Sequence, residues 1–173
     1  GALELGRRTG APVWVSDYDR GESYEVAFAH RDLRDGDSLE IGQARLEALH
    51  TPGHTPEHVS FALYDRSRSD AVPMALLSGD FLFVGSLGRP DLLGEDASRG
   101  LAEQLFRSAR DRLRGIPDGT AVLPAHGAGS MCGAGMGGHP WSTLGYERTT
   151  NPYLQDEMSR DAFIEEILGS VPL

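Results

Sequence analysis

A chain of 173 residues, 39% hydrophobic and 24% charged, is long enough for one domain with a buried core and too short for two, and this composition excludes disordered, collagen-like and fibrous classes. Acidic side chains outnumber arginines by 26 to 16; the resulting formal charge of -10 repels phosphate backbones and argues against nucleic-acid partners. No apolar run approaches the ~20 residues of a membrane-spanning helix, the single cysteine cannot form an internal disulfide and fits a reducing cytoplasm, and the absence of Lys excludes P-loop and Schiff-base lysine chemistry.

Ala2 to Arg8 reads as a helix stopped by Gly10 in the left-handed region, with no capping residue before it. Pro12 to Val15 and Tyr24 to Phe28 read as strands. After an Asp35-Gly36 turn, Ser38 to Ile41 and Ala44 to Leu49 form a hairpin across Gly42-Gln43, the second strand alternating apolar and polar residues as a half-buried strand does. Further strands are predicted at Val59 to Tyr64 and Pro73 to Leu77. Leu101, Leu105, Ala109 and Leu113 fall on one stripe of a helix over Ser98 to Leu113, which Pro117-Asp118-Gly119 turns into a last strand at Ala121 to Leu123. Gly127 to Gly138 is rich in Gly, and Phe163, Ile164, Ile167 and Leu168 share a helical face near the C-terminus.

Metal-binding side chains occur in three loops that directly follow predicted strands: His50-Thr51-Pro52-Gly53-His54-Thr55-Pro56-Glu57-His58, Ser78-Gly79-Asp80, and Leu123-Pro124-Ala125-His126-Gly127. A sheet holds such loops rigidly enough to coordinate a cation, and the Pro and Gly neighbours set the turn that aims each side chain. His with Asp suits zinc or non-haem Fe(II); two His and one carboxylate leave positions open for O2 and substrate. His30 and His139 read as structural or surface residues, and His50 and His58 as supports of the crowded loop around His54.

TPGHT at 51–55, SGD at 78–80 and PAHG at 124–127, in this order and spacing, resemble the metallo-β-lactamase fold superfamily. The resemblance implies an α/β (α+β) fold, the αββα sandwich, in a single domain over 1–173. More narrowly, HTPGHTPEHVSF, LLSGDFLFVGSLGRPDL and LPAHGAGSMCG, followed by STLGYER and NPYLQ, resemble the persulfide dioxygenase (sulfur dioxygenase) branch in its bacterial, rhodanese-fused form. That pattern also includes an earlier H-x-H-x-D motif ending just before a segment like LGRRTGAPVWV. Gly1 falls directly behind it, so the domain is expected to be partial and N-terminally truncated, with a rhodanese domain beyond the C-terminus.

What the resemblance implies is an iron-dependent enzyme oxidising glutathione persulfide, or a similar low-molecular-weight persulfide, with O2 to sulfite and thiol. It implies one Fe(II) per site, zinc being a substitute, held by the first His of the absent motif, His54 and Asp80. His126 matches the position that holds a second metal in dinuclear relatives such as glyoxalase II and lines the site in the mononuclear branch; it stands as a further metal candidate. Arg89, in Gly88-Arg89-Pro90-Asp91, is the candidate for orienting the acidic thiol carrier or fixing that loop, against a plain ion pair to Asp91 or Glu95. Cys132 is a candidate sulfur relay, against a small incidental thiol. Competing readings are a glyoxalase II-like thiolester hydrolase, which needs two metals, and a noncatalytic fragment of the fold. Absent strands would bare a sheet edge and an apolar face, so a homodimer is expected.

Overall fold

The computed structural model describes residues 1–22, 24–133 and 135–170, so Ser23, Ala134 of the Gly-rich stretch and the last three residues lie outside the described residues. Helix α1 (Ala2–Thr9) stops as expected at Gly10, whose φ of 75° turns its N–H back to the Gly6 carbonyl. β1 (Trp14–Ser16) pairs in parallel with β2 (Arg31–Leu33). The strand expected at Tyr24 to Phe28 does not form: Tyr24 sits in a turn and 25–28 carry no strand structure. The β1 edge is taken instead by the segment after His30, Arg31 N–H donating to the Val13 carbonyl, and β propensity without a free edge makes no strand.

β3 (Ser38–Ile41) and β4 (Ala44–His50) form the expected hairpin, with Gly42 at φ 60°. β5 (Val59–Asp65) and β6 (Ala75–Gly79) follow, then a short hairpin of β7 (Leu82–Phe83) and β8 (Ser86–Leu87). Helix α2 (Glu95–Arg107) crosses over to β9 (Ala121–Pro124); β10 (Ser142–Thr143), α3 (Leu144–Thr150) and α4 (Arg160–Gly169) complete the described chain. The six-stranded sheet has the order β10-β9-β6-β5-β4-β3 and is antiparallel except for β6 and β9, the pair that α2 joins. α2 begins at Glu95 rather than Ser98, with Glu95 and Asp96 favourable in its first turn, and its continuation widens into a π turn at Ser108–Arg112, where Ser108 Oγ donates to the Pro52 carbonyl.

Strand register separates the two faces of this sheet. Leu76 and Val122, paired across β6 and β9, belong to a core with Leu87, Leu105, Leu144, Phe163 and Ile164, each 1% exposed or less. Burial of side chains of this kind contributes on the order of 1.5–3 kcal/mol apiece. The opposite face carries two apolar rows, Ala48-Phe61-Leu77-Leu123 and Leu46-Leu63-Ala75. Of these only the two alanines are buried, and Leu123 is 38% exposed. No helix among the described residues is long and apolar enough to cross a membrane.

A buried carboxylate ties α3 to the β7–β8 hairpin. Glu147 Oε2 accepts from Gly85 N–H at 2.8 Å and from Asn151 Nδ2 at 3.0 Å, and Asn151 Nδ2 also donates to the Ser86 carbonyl at 3.2 Å. Glu147→Ala deprives the Gly85 N–H of its acceptor inside the core, so the expected loss is about 2–4 kcal/mol by chemical denaturation. A loss below about 0.5 kcal/mol would show that the hairpin is held without it.

Candidate metal centre

β4, β6 and β9 run in the same direction, because β5 is antiparallel to both β4 and β6, and β9 is parallel to β6. The loops after these three strands therefore leave one end of the sheet together, and they carry His54, Asp80 and His126.

The first loop is pressed against α2. A Cβ on Gly53, whose φ is +147°, would lie 2.4 Å from Leu105 Cβ. His54 is 6% exposed, and its Nδ1 lies 2.9 Å from the Arg89 carbonyl. A carbonyl oxygen only accepts, so Nδ1 carries the proton and the Nε2 lone pair of the neutral ring is left free.

Asp80 is aimed by His58. Its backbone N–H donates to His58 Nε2 at 2.9 Å, and that ring lies so close to Gly79, at φ +57°, that a Cβ there would meet Nε2 at 2.6 Å. Because Nε2 accepts, Nδ1 of His58 donates to Thr51 Oγ1 at 2.8 Å; Thr51 Oγ1 is 2.9 Å from Ser60 Oγ, which donates to the Ser78 carbonyl at 3.2 Å. Burial first, and then the neighbouring His54, lowers the His58 pKa to about 4, keeping the ring neutral as this network requires. Asp80 Oδ1 is buried without a hydrogen bond. His126 Nε2 stands 3.1 Å from it, within ion-pair distance but out of hydrogen-bonding alignment, on a side chain 42% exposed.

Donor atoms of His54, Asp80 and Cys132 all lie within 4.8 Å of one another, the one such group of three His, Cys, Asp or Glu side chains among the described residues. One peptide unit serves two of them: Arg89 C=O accepts from His54, and Arg89 N–H donates to the Cys132 carbonyl at 3.0 Å. The Arg89 guanidinium is engaged by Asp91, Nε donating at 2.7 Å, and by the Met131 carbonyl at 3.3 Å. Gly88 completes the close approach, since a Cβ there would sit 3.1 Å from His54 Cβ and overlap the Asp80 carbonyl oxygen. Gly88→Ala is expected to lower stability by roughly 1–3 kcal/mol and to weaken cation binding together with it. An unchanged melting curve would show that the loop yields freely.

The remaining histidines fall where their sequence context placed them. His50 Nε2 donates to the Pro56 carbonyl at 2.8 Å and its ring stacks on Tyr18 at 3.6 Å. His30 Nδ1 donates to the Phe28 carbonyl, and His139 is exposed. Sequence reasoning did not find the Arg89 peptide clamp or the approach of Cys132 to His54 and Asp80, both of which depend on contacts between segments distant in the chain.

The family model of the metallo-β-lactamase superfamily matches residues 1–126, and the chain belongs to that superfamily. Human mitochondrial persulfide dioxygenase ETHE1 is 32% identical over 147 residues, covering 85% of this chain and 49% of that protein. Hydroxyacylglutathione hydrolase GloC of Haemophilus influenzae is 29% identical over 124 residues, 72% of this chain and 47% of that one. The chain thus spans about half the length of the curated relatives it matches. Among solved structures, a Staphylococcus aureus metallo-β-lactamase aligns with TM-score 0.86 at 37% identity, covering 98% of this chain and 49% of that one. ETHE1 from Myxococcus xanthus aligns at 0.70 and 28% over 95% and 60%, and TTHA1623 in a di-iron-bound form at 0.59 and 31% over 88% and 70%. The superfamily's α+β sandwich fold is therefore the fold of this chain.

Proposed function

We propose that the chain carries part of the iron site of a persulfide dioxygenase, with His54 and Asp80 as ligands of one Fe(II) and zinc as a substitute ion. The observation that supports this most is the pair of unspent lone pairs: His54 Nε2, left free because Nδ1 is bound to Arg89, and the buried Asp80 Oδ1 with no hydrogen bond. A buried carboxylate oxygen without a partner is unfavourable, and a cation offsets that penalty. When bound, iron would supply the redox couple that O2 chemistry needs and that redox-silent zinc lacks. The similarity to ETHE1 in sequence and structure adds the substrate class, glutathione persulfide or a related small persulfide.

The balanced reaction oxidises the outer sulfur, which gives four electrons to O2; the S–S bond breaks, the inner sulfur leaves as protonated thiol, and sulfite forms with oxygen from O2 and water. The chain's residues hold the geometry for this. The neutral His58 ring fixes the Asp80 peptide, and Arg89 fixes both His54 and the loop through Cys132. With glutathione persulfide, the protein should consume O2 and release one sulfite per O2. Thiolester hydrolysis without O2 uptake would contradict the assignment.

That outcome is the second reading, a glyoxalase II-like hydrolase. It is favoured by His126, whose Nε2 stands 3.1 Å from Asp80 Oδ1 and which would hold a second metal beside it, the pair supplying an activated water for hydrolysis. A cytoplasmic setting and a rhodanese partner domain belong to the dioxygenase reading. The half-covered apolar rows of the sheet support association with a second copy of the chain. Light scattering should then give the mass of a dimer, and a stable, monodisperse monomer would contradict it.

A further inference from the structure

We infer that Cys132 is itself a protein donor to the cation, so that the chain presents a His-Asp-Cys set of His54 Nε2, an Asp80 carboxylate oxygen and Cys132 Sγ. This role presupposes the ion at His54 and Asp80 proposed above. Three observations converge on it. The mutually close donor group consists of His54, Asp80 and Cys132, whereas His126 reaches Asp80 from a half-exposed position. His54 is buried with Nδ1 spent on the Arg89 carbonyl, and among the described residues no hydrogen bond engages Nε2.

The third observation is that the position of Cys132 is built. Its carbonyl accepts from Arg89 N–H, its N–H donates to Ser130 Oγ at 3.2 Å, and the Met131 carbonyl accepts from the Arg89 guanidinium. Gly133 then lies flat on the β7–β8 hairpin, where a Cβ would meet Phe83 Cδ2 at 2.9 Å and the Leu87 carbonyl at 3.0 Å. Since Arg89 C=O holds His54 while Arg89 N–H holds Cys132, one peptide sets the spacing of an imidazole and a thiol around a common point.

Loading is an exchange without electron transfer: the Cys132 S–H bond breaks, its proton goes to buffer, and the sulfur lone pair forms the bond to the ion. A thiolate donor tilts the site towards zinc, Fe(II) and Co(II) and away from magnesium and manganese.

Co(II) added to the protein is the probe. The wild-type protein should develop a thiolate-to-cobalt charge-transfer band in the near ultraviolet that is missing from Cys132→Ser, and the variant should bind Co(II) weaker by at least ~10–100-fold, the range seen when mere supporting groups are lost. In the unsubstituted protein, bound Co(II) should also slow iodoacetamide alkylation of Cys132 about tenfold, a readout independent of how the variant folds. Stoichiometric Co(II) with no band and unprotected Cys132 overturns the donor role while leaving His54 and Asp80 as ligands. Failure to bind Co(II) at all overturns both.

Discussion

Asp80→Asn should abolish the stabilisation that Fe(II) confers while leaving the metal-free protein as stable as before or slightly more stable. The two halves of this result have separate causes. Without an ion, Asp80 Oδ1 is a buried carboxylate oxygen with no hydrogen bond, so a neutral amide of the same shape removes a penalty. With an ion, a ligand that binds only the folded state stabilises it by about 2.7 kcal/mol at a hundred times its dissociation constant, and losing a direct ligand should lower affinity by more than ~10–100-fold. Anaerobic melting with and without Fe(II) reads both. His54→Ala should lose the iron effect likewise, but its metal-free form should be less stable, because a ring 6% exposed and bonded to Arg89 is removed. An iron-induced shift that survives Asp80→Asn would remove Asp80 from the site.

The second large effect is acid destabilisation through His58. Its folded pKa is depressed to about 4 from the ordinary 6.5. Between those values the unfolded chain takes up a proton that the folded chain refuses, so stability falls as pH drops through that window. The slope is about 1.4 kcal/mol per pH unit and the full loss about 3 kcal/mol, complete near pH 4. Burial of the ring is the main cause, with the neighbouring His54 next, and a protonated His58 would also turn an N–H towards the Asp80 N–H it now accepts from. Urea denaturation at a series of pH values should show this loss in the wild type, and His58→Gln, which cannot titrate, should flatten that limb. An equally steep limb in the variant would assign the acid sensitivity to other groups.

Much of the candidate metal centre was legible because it follows from strand order. TPGHT follows β4 directly, SGD and PAHG run off the ends of β6 and β9, and once these three strands share a direction the loops leave one end of the sheet together. The β3–β4 hairpin and the end of α1 were legible for a local reason, since Gly42 and Gly10 supply the left-handed turns that stop each element. Tyr24 to Phe28 was misread because strand formation depends on an edge supplied elsewhere, and that edge went to Arg31–Leu33. The two-residue strands of β7 and β8 are too short to leave a periodic pattern. Cys132 was read as a candidate sulfur relay or an incidental thiol: its approach to His54 depends on an Arg89 peptide more than forty residues away in the chain, a contact with no local signal. Arg89 was weighed as an orienter of the thiol carrier or a brace of its loop against a plain ion pair to Asp91 or Glu95, and the guanidinium is found on Asp91.

The most direct measurement is the number of iron ions held per chain after anaerobic loading and desalting, taken on the wild type, His54→Ala, Asp80→Ala and His126→Ala. One Fe(II) per chain in the wild type, retained by His126→Ala and lost from the other two, is the predicted result. Two ions per chain with one lost on His126→Ala, or iron retained without His54 and Asp80, would contradict a mononuclear site on this pair.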